Sequence, residues 1–214
     1  MYGTDRERIS QFFAMERTDL HLASASARRR DILTALGLTY SWAAEDVDEK
    51  PLDGESAVNL AQRLAVAKSA AGRLSRPNAA VVLGADTVVV VDGMTMGKPD
   101  NRDDAVDMLM RLSDRVHEVV TAVAVNAGTV TLTDCSTTEV RFRSISATEA
   151  ASYWGTGEPA DKAGAYAIQG IGGAFVQSIA GSYSGVVGLP VFETASLLNR
   201  AGIDVITAAT QQVE

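Results

Sequence analysis

The chain has almost no cysteine or histidine and no long apolar run. Cys135 is the only cysteine, which excludes an internal disulfide. His21 and His117 lack the Cys or His spacing of a zinc site, so we expect both to be structural. No apolar run approaches the roughly 20 residues that span a bilayer, and the N-terminus lacks the apolar segment of a signal peptide. These absences predict a protein of a reducing compartment, the cytoplasm, with no membrane partner.

Positive charge is also scarce. The formal net charge is −8, with 19 Lys and Arg against 27 Asp and Glu. General affinity for nucleic acid depends on many Lys and Arg contacts to phosphates, so we expect no nucleic-acid partner. A small anion needs only a local positive cluster, and the sequence contains one.

That cluster lies in residues 22–33, LASASARRRDIL. A short apolar strand runs through Ser24 and Ser26 into a helix whose first turn contains three arginines, residues 28–30. Free backbone N–H groups and the helix dipole attract anions at such a helix start. Two interpretations stay open: a phosphate site, or an ordinary N-cap at Ser26 with Arg30 solvated.

A second unusual position is Asp86, which stands inside the most apolar stretch, residues 79–91. Burying a lone carboxylate is costly unless it is paired, hydrogen-bonded or metal-bound. Asp86 is therefore either functional or a turn residue at a bulge beside Gly84 that interrupts the strand. The dipeptide Asp92-Gly93 then predicts a two-residue hairpin, and the returning strand leads to Lys98.

Three further segments give weak signals by themselves. An acidic run that ends at Glu49 is typical of a solvated loop. The pattern of residues 55–74 predicts a helix on which Lys68 would be solvated. A glycine-rich stretch, residues 155–173, allows backbone to approach a ligand closely and contains Gln169.

Four segments, in this order, resemble the Maf family of nucleoside triphosphate pyrophosphatases. They are LASASARR at 22–29, GADTVV at 84–89, EPADKAGAYAIQG at 158–170 and GSYSGVVGLP at 181–190. One position departs, because Ala27 stands where the family usually has proline. Proline at the first helical position mainly fixes the backbone, so alanine there loosens the turn and removes no phosphate donor.

The resemblance implies an α/β fold with a long twisted mixed sheet, flanking helices, and two lobes around a central cleft. The alternating strand and helix patterns agree with it. Residues 1–20 precede the point where family members usually begin, so they form an N-terminal extension, and residues 21–214 form one catalytic domain. A homodimer is a further expectation from the family.

The resemblance also implies roles for individual residues. Asp86 is the family's proposed proton acceptor, acting either directly or through a metal, and Glu49 and Asp86 form the catalytic pair that binds a divalent cation, Mg²⁺ or Mn²⁺. The phosphate-binding residues are Ser24, Ser26, Arg28, Arg29, Lys68 and Lys98. Arg28, Thr87 and Gln169 match the subgroup that acts on dTTP and UTP. The Gln169 amide both donates and accepts hydrogen bonds, which suits a pyrimidine edge with a carbonyl beside an N–H.

The implied activity is hydrolysis of dTTP and UTP, and of modified pyrimidine triphosphates, to the monophosphate and pyrophosphate. One alternative is a nucleotide-binding regulator of septum formation without turnover, and another is an enzyme that removes deaminated purine triphosphates. Binding a polyphosphate gains little from nearby carboxylates unless water or a metal is being managed, so Glu49 and Asp86 favour an enzyme over the regulator.

Overall fold

One mixed β-sheet runs through the computed structural model, which describes residues 20–210. The strands are β1 (Leu20–Ala23), β2 (Tyr40–Ala43), β3 (Val81–Val91), β4 (Met94–Met96), β5 (Val116–Asn126), β6 (Thr131–Phe142) and β7 (Val176–Ala180). The helices are α1 (Ala27–Ala35), α2 (Ala57–Ser75), α3 (Arg102–Leu112), α4 (Ala147–Trp154), α5 (Tyr183–Val187), α6 (Val191–Arg200) and α7 (Val205–Thr210). Three 3₁₀ segments, Glu158–Asp161, Ala163–Ala165 and Ile171–Phe175, precede β7.

The strand order is β2-β1-β3-β5-β6-β7, and β4 pairs with β3 outside this path. β1 is parallel to β2 and β3, whereas β3, β5, β6 and β7 pair antiparallel. This is the mixed sheet flanked by helices that the sequence predicts.

The central strand β3 leaves part of one edge open. β5 pairs with it continuously along one edge, from Val82 to Val90. On the other edge β1 pairs only with residues 81–83 and β4 only with residues 89–91. Residues 84–88 therefore have no strand beside them on that edge, and a cleft opens there.

Two hydrophobic cores lie on either side of this cleft and define two lobes. The first contains Leu22 of β1, Leu33 of α1 and Leu197 of α6, packed on the start of β3. The second contains Leu109 of α3 and Phe142 of β6, packed on the end of β3. A third apolar cluster packs α2 against β3 and β5.

Local signals in the sequence account for several element boundaries. Ser26 is the N-cap of α1, and its Oγ accepts a hydrogen bond from the Arg29 backbone N–H. Asp92 and Gly93 have positive φ angles of 52° and 73°, as the predicted hairpin requires. The alternative of a turn at a bulge beside Gly84 is excluded, because β3 continues through Gly84 with its register to β5 unbroken.

Within the described part of the chain, no helix is long and apolar enough to cross a membrane. β1 begins at Leu20, the last residue of the predicted extension, and the rest of that extension lies outside the described residues. The homodimer and the cytoplasmic location stay predictions.

Candidate active site

A cavity of about 1000 Å³ occupies the cleft over the open edge of β3. Both lobes contribute to its wall, and all ten of the predicted site residues line it. They are Ser24, Ser26, Arg28, Arg29, Glu49, Lys68, Asp86, Thr87, Lys98 and Gln169. The structure therefore brings together residues from six separate segments of the chain.

Lys68 links two carboxylates at one point of the cavity wall. Its Nζ lies 2.7 Å from Asp86 Oδ1 and 2.6 Å from Glu49 Oε1. Lys68 is only 9% exposed, so the prediction of a solvated lysine from the helical pattern is wrong. The reason is the packing of α2 on β3: a Cβ at Gly84 would lie 2.3 Å from the Ala65 carbonyl oxygen, so only glycine lets the helix come this close.

The environments of the two carboxylates shift their pKa values in opposite directions. Burial raises the pKa of Asp86, against the lowering effects of Lys68 and Arg29. Burial also opposes ionisation of Glu49, but the hydrogen bond and charge of Lys68, with the charges of Lys98 and Arg29, hold its pKa below the ordinary value. Paired groups with separated pKa values are typical of sites where one carboxylate exchanges a proton and the other stays ionised.

Arg29 is buried and uses its guanidinium inside the protein. Its Nε donates to the Gly188 carbonyl oxygen at 2.8 Å, Nη1 to Ser24 Oγ at 3.1 Å and Nη2 to Thr87 Oγ1 at 3.2 Å. These bonds join α1, β3 and the segment before α6. Three of the five N–H donors of Arg29 are thus bound by protein groups, and the guanidinium shapes the wall and adds positive charge to it.

The neighbouring arginines have different surroundings. Arg28 is partly exposed in the cavity wall and faces Asp161 across the cleft, with 3.9 Å between Nη1 and Oδ2. Arg30 stacks on Trp42, with its guanidinium carbon 4.1 Å from the ring centroid. Of the three arginines in the first turn, only Arg28 combines contact with the cavity and partial exposure, while Ser26 acts as the N-cap of the same helix.

The Thr87 hydroxyl is also held by protein groups. Thr121 Oγ1 lies 3.0 Å from Thr87 Oγ1 and 2.8 Å from the Gly185 carbonyl oxygen. Because a carbonyl only accepts, Thr121 gives its one proton to Gly185, and Thr87 completes the pair as donor to Thr121 and acceptor from Arg29. Thr87 thus orients Arg29 at the cavity wall.

Sequence reasoning missed Thr121, which is fully buried in β5. It stands in a strand with no motif of its own, 34 residues after Thr87. The strand register makes the two threonines direct cross-strand partners. Only the pairing of β3 with β5, had it been predicted, would have identified Thr121.

Lys98 and Gln169 are exposed residues on the wall of the same cavity. Lys98 lies close enough to Glu49 for its charge to lower the pKa of that carboxylate. Gln169 stands on the loop that enters the 3₁₀ segment Ile171–Phe175, in the second lobe.

The carboxylates offer a partial set of metal ligands. Among residues 20–210, no group of three or more His, Cys, Asp or Glu side chains is arranged to hold a metal ion. Glu49 and Asp86 nevertheless converge on one nitrogen, and Mg²⁺ is commonly bound by one or two carboxylates together with substrate phosphates. This oxygen donor set fits a divalent cation whose shell a phosphate ligand completes.

Comparison with known proteins agrees with the geometry of the site. Residues 19–201 match the family described as Maf-like protein. The dTTP/UTP pyrophosphatase of Methylococcus capsulatus is 48% identical over 184 residues, which cover 86% of this chain and 91% of that protein. The dTTP/UTP pyrophosphatase of Saccharophagus degradans is 47% identical over 184 residues, with 85% and 88% covered. Among solved structures, the Staphylococcus aureus Ham1 protein is 15% identical, with a TM-score of 0.42 over 58% of this chain and 71% of that one.

Proposed function

The chain belongs to the Maf-like protein family, and from that premise we propose that it is a nucleotide pyrophosphatase that hydrolyses dTTP and UTP to nucleoside monophosphate and pyrophosphate. The observation that supports this most directly is the meeting of Glu49 and Asp86 at Lys68, in a cavity that also contains the arginine-bearing start of α1. A site that only bound polyphosphate would gain nothing from two carboxylates among its cations.

The cations would hold the triphosphate. Arg28 and Lys98 are at least partly exposed in the wall, and the free N–H groups at the start of α1 add a partial positive charge. Lys68 would add a further positive charge beside the reacting phosphate. Phosphoryl transfer depends largely on such positioning and charge stabilisation.

The reaction itself is attack of water on the α-phosphorus. The new bond joins the water oxygen to this phosphorus, the bond to the bridging oxygen breaks, and pyrophosphate leaves. Asp86 would take the proton of the attacking water, since it is the buried carboxylate of the pair and lines the cavity. Glu49 and Asp86 would hold Mg²⁺ or Mn²⁺, which when bound supplies positive charge at the phosphate oxygens.

The base would be read in the second lobe. The Gln169 amide can accept from the N3–H of thymine or uracil and donate to the adjacent carbonyl. Cytosine presents an acceptor and an amino group at the same positions, so the amide distinguishes the two bases only if it is held in one orientation. Arg28 and Thr87 complete the specificity set, with Thr87 acting through its hydrogen bond to Arg29.

The experiment measures pyrophosphate release from dTTP, UTP, CTP, 7-methyl-GTP and ITP with Mg²⁺ or Mn²⁺. We expect dTTP and UTP to be cleaved fastest. Asp86→Asn, which keeps the size of the side chain, should lower kcat by roughly 10² to 10⁴-fold, as loss of a general base does. Asp107→Asn, at an exposed position of α3, is the matched control and should keep wild-type turnover.

Three results would contradict the proposal. Wild-type protein that binds UTP but releases no pyrophosphate with either metal would favour the nucleotide-binding regulator. Faster cleavage of ITP than of UTP would favour the enzyme for deaminated purines. Unchanged kcat in Asp86→Asn would remove Asp86 from its role as base.

A further inference from the structure

Glu158 binds backbone with both of its carboxylate oxygens. Oε1 accepts from the Gly172 N–H at 2.9 Å and from the Tyr153 hydroxyl at 2.6 Å, and Oε2 accepts from the Ile171 N–H at 3.0 Å. Burial opposes ionisation of Glu158, but these three donors together hold its pKa below the ordinary value. The carboxylate is therefore an ionised acceptor whose hydrogen bonds are directed at one loop.

The Tyr153 hydroxyl extends this contact to the other end of the same loop. It accepts from the Ala167 N–H at 3.1 Å while it donates to Glu158. The Tyr153 ring is buried and meets the Phe175 ring edge-on, with 5.1 Å between centroids. Tyr153 and Glu158 thus hold the backbone by hydrogen bonds on both sides of residues 168–170, the segment that contains Gln169.

Glycines let the loop approach the two side chains this closely. A Cβ at Gly170 would lie 2.2 Å from Glu158 Oε2, and one at Gly172 would lie 2.5 Å from the Tyr153 hydroxyl oxygen. Neither φ angle at these glycines falls in the left-handed region, so glycine is required there by the close approach to Tyr153 and Glu158 and not by a special backbone conformation.

We propose that Tyr153 and Glu158 are positioning residues for base selection, which hold residues 167–172 so that the Gln169 amide stands ready at the base edge. This inference rests on the proposed function. Glu158 has its oxygens committed to backbone, so it acts through Gln169 and does not read the base itself. A loop that is already ordered loses no conformational entropy when the nucleotide binds. The hydrogen bonds of a fixed Gln169 amide therefore add to the affinity in full, but only for a base whose edge matches the amide.

UTP and CTP are the matched substrates for the test, because they share ribose and triphosphate and differ only at the base edge. Glu158→Gln keeps the shape of the side chain but turns an amino group toward one of the backbone N–H donors. We expect the ratio of kcat/KM for UTP to that for CTP to fall about tenfold, as expected when a buried hydrogen bond is lost. The change should appear mainly as a higher KM for UTP, with kcat largely kept.

Tyr153→Phe is the second variant, since it keeps the buried ring and removes only the hydroxyl. It should lower the same ratio in the same direction. Glu149→Gln is the matched control: Glu149 also accepts a backbone hydrogen bond, from the Ser146 N–H at 2.9 Å, but at the start of α4 and away from the cavity lining. It should leave the ratio unchanged.

A double-mutant cycle separates positioning from general stability. In a Gln169→Ala background, Glu158→Gln should cause no further fall in the UTP to CTP ratio, because the group being positioned is already gone. A fall of the same size in that background would overturn the proposal. So would a uniform loss of kcat for both substrates, or a wild-type enzyme that does not distinguish UTP from CTP.

Failure of the proposed function would be seen separately. If the wild-type protein releases no pyrophosphate, the same variants are compared by the ratio of their Kd values for UTP and CTP. A ratio of Kd for UTP to Kd for CTP that Glu158→Gln raises only while Gln169 is present supports the positioning role without catalysis, and an unchanged ratio overturns it.

Discussion

Gly84 to alanine tests how the packing of α2 sets the active-site geometry. A Cβ at this position would lie 2.3 Å from the Ala65 carbonyl oxygen and 2.6 Å from the Ser69 backbone nitrogen. Both are backbone atoms of α2, so the helix as a whole must retreat. To reach an ordinary contact distance of 3.4 Å it must move by about 1 Å.

Lys68 lies between those two contacts on the same helix and would move with it. The 2.7 Å contact from Lys68 Nζ to Asp86 Oδ1 would then lengthen beyond hydrogen-bond distance. Since a misplacement of about 1 Å can cost a factor of ~10², we expect kcat/KM for UTP to fall roughly tenfold to hundredfold. Overpacking of this kind should also lower the free energy of unfolding by about 1–3 kcal/mol.

The assay is steady-state pyrophosphate release together with the Tm of each variant. Gly155→Ala is the control, because Gly155 has an ordinary helical φ of −60° and its nearest neighbour, the Ser152 carbonyl oxygen, lies at 3.2 Å from the built Cβ. Wild-type Tm and kcat/KM in Gly84→Ala would refute the steric argument. A lowered Tm with unchanged kcat/KM would refute the link between helix position and Lys68.

Two further substitutions test buried polar groups. Burial lowers the pKa of His117 from 6.5 to about 4, so its contribution to folding is complete above pH 6.5 and is lost as the pH falls toward 4. The stability of wild type relative to His117→Gln should therefore drop by about 3 kcal/mol over that range in urea unfolding, and parallel pH profiles would contradict this. Thr121→Val leaves the Gly185 carbonyl and the Thr87 hydroxyl without their partner, which should cost about 1–3 kcal/mol and raise KM for UTP. Thr207→Val, at an exposed position, is the control, and an unchanged Tm and KM in Thr121→Val would contradict the role of that hydroxyl.

Local features of the fold could be predicted because they depend on a few consecutive residues. The hairpin depends on only two residues, Asp92 and Gly93, since both readily adopt the positive φ that the turn requires. Ser26 caps α1 through a backbone N–H only three residues away. Neither prediction needs any knowledge of where the rest of the chain lies.

Lys68 and Asp86 show what local patterns cannot supply. A lysine on an amphipathic helix is usually solvated, so Lys68 taken alone was misread, whereas Asp86 taken alone allowed either a functional role or a turn at a bulge. Each is explained by the other, because they bury together as a 2.7 Å ion pair. That pairing depends on the approach of α2 to β3 at Gly84, which is a tertiary contact and has no signature in either segment.

The position of the site along β3 explains why the strand needs no break there. Successive side chains of a strand point to opposite faces, and here Asp86 binds Lys68 of α2 while Thr87, the next residue, binds Arg29. A shift of the β3 register by one residue would exchange the positions of Asp86 and Thr87 and break both of these contacts. The ladder to β5, unbroken from Val82 to Val90, fixes the register on one edge. With that edge secured, the other can stay open over residues 84–88, so one continuous strand positions the proposed catalytic carboxylate and the hydroxyl that orients Arg29 together.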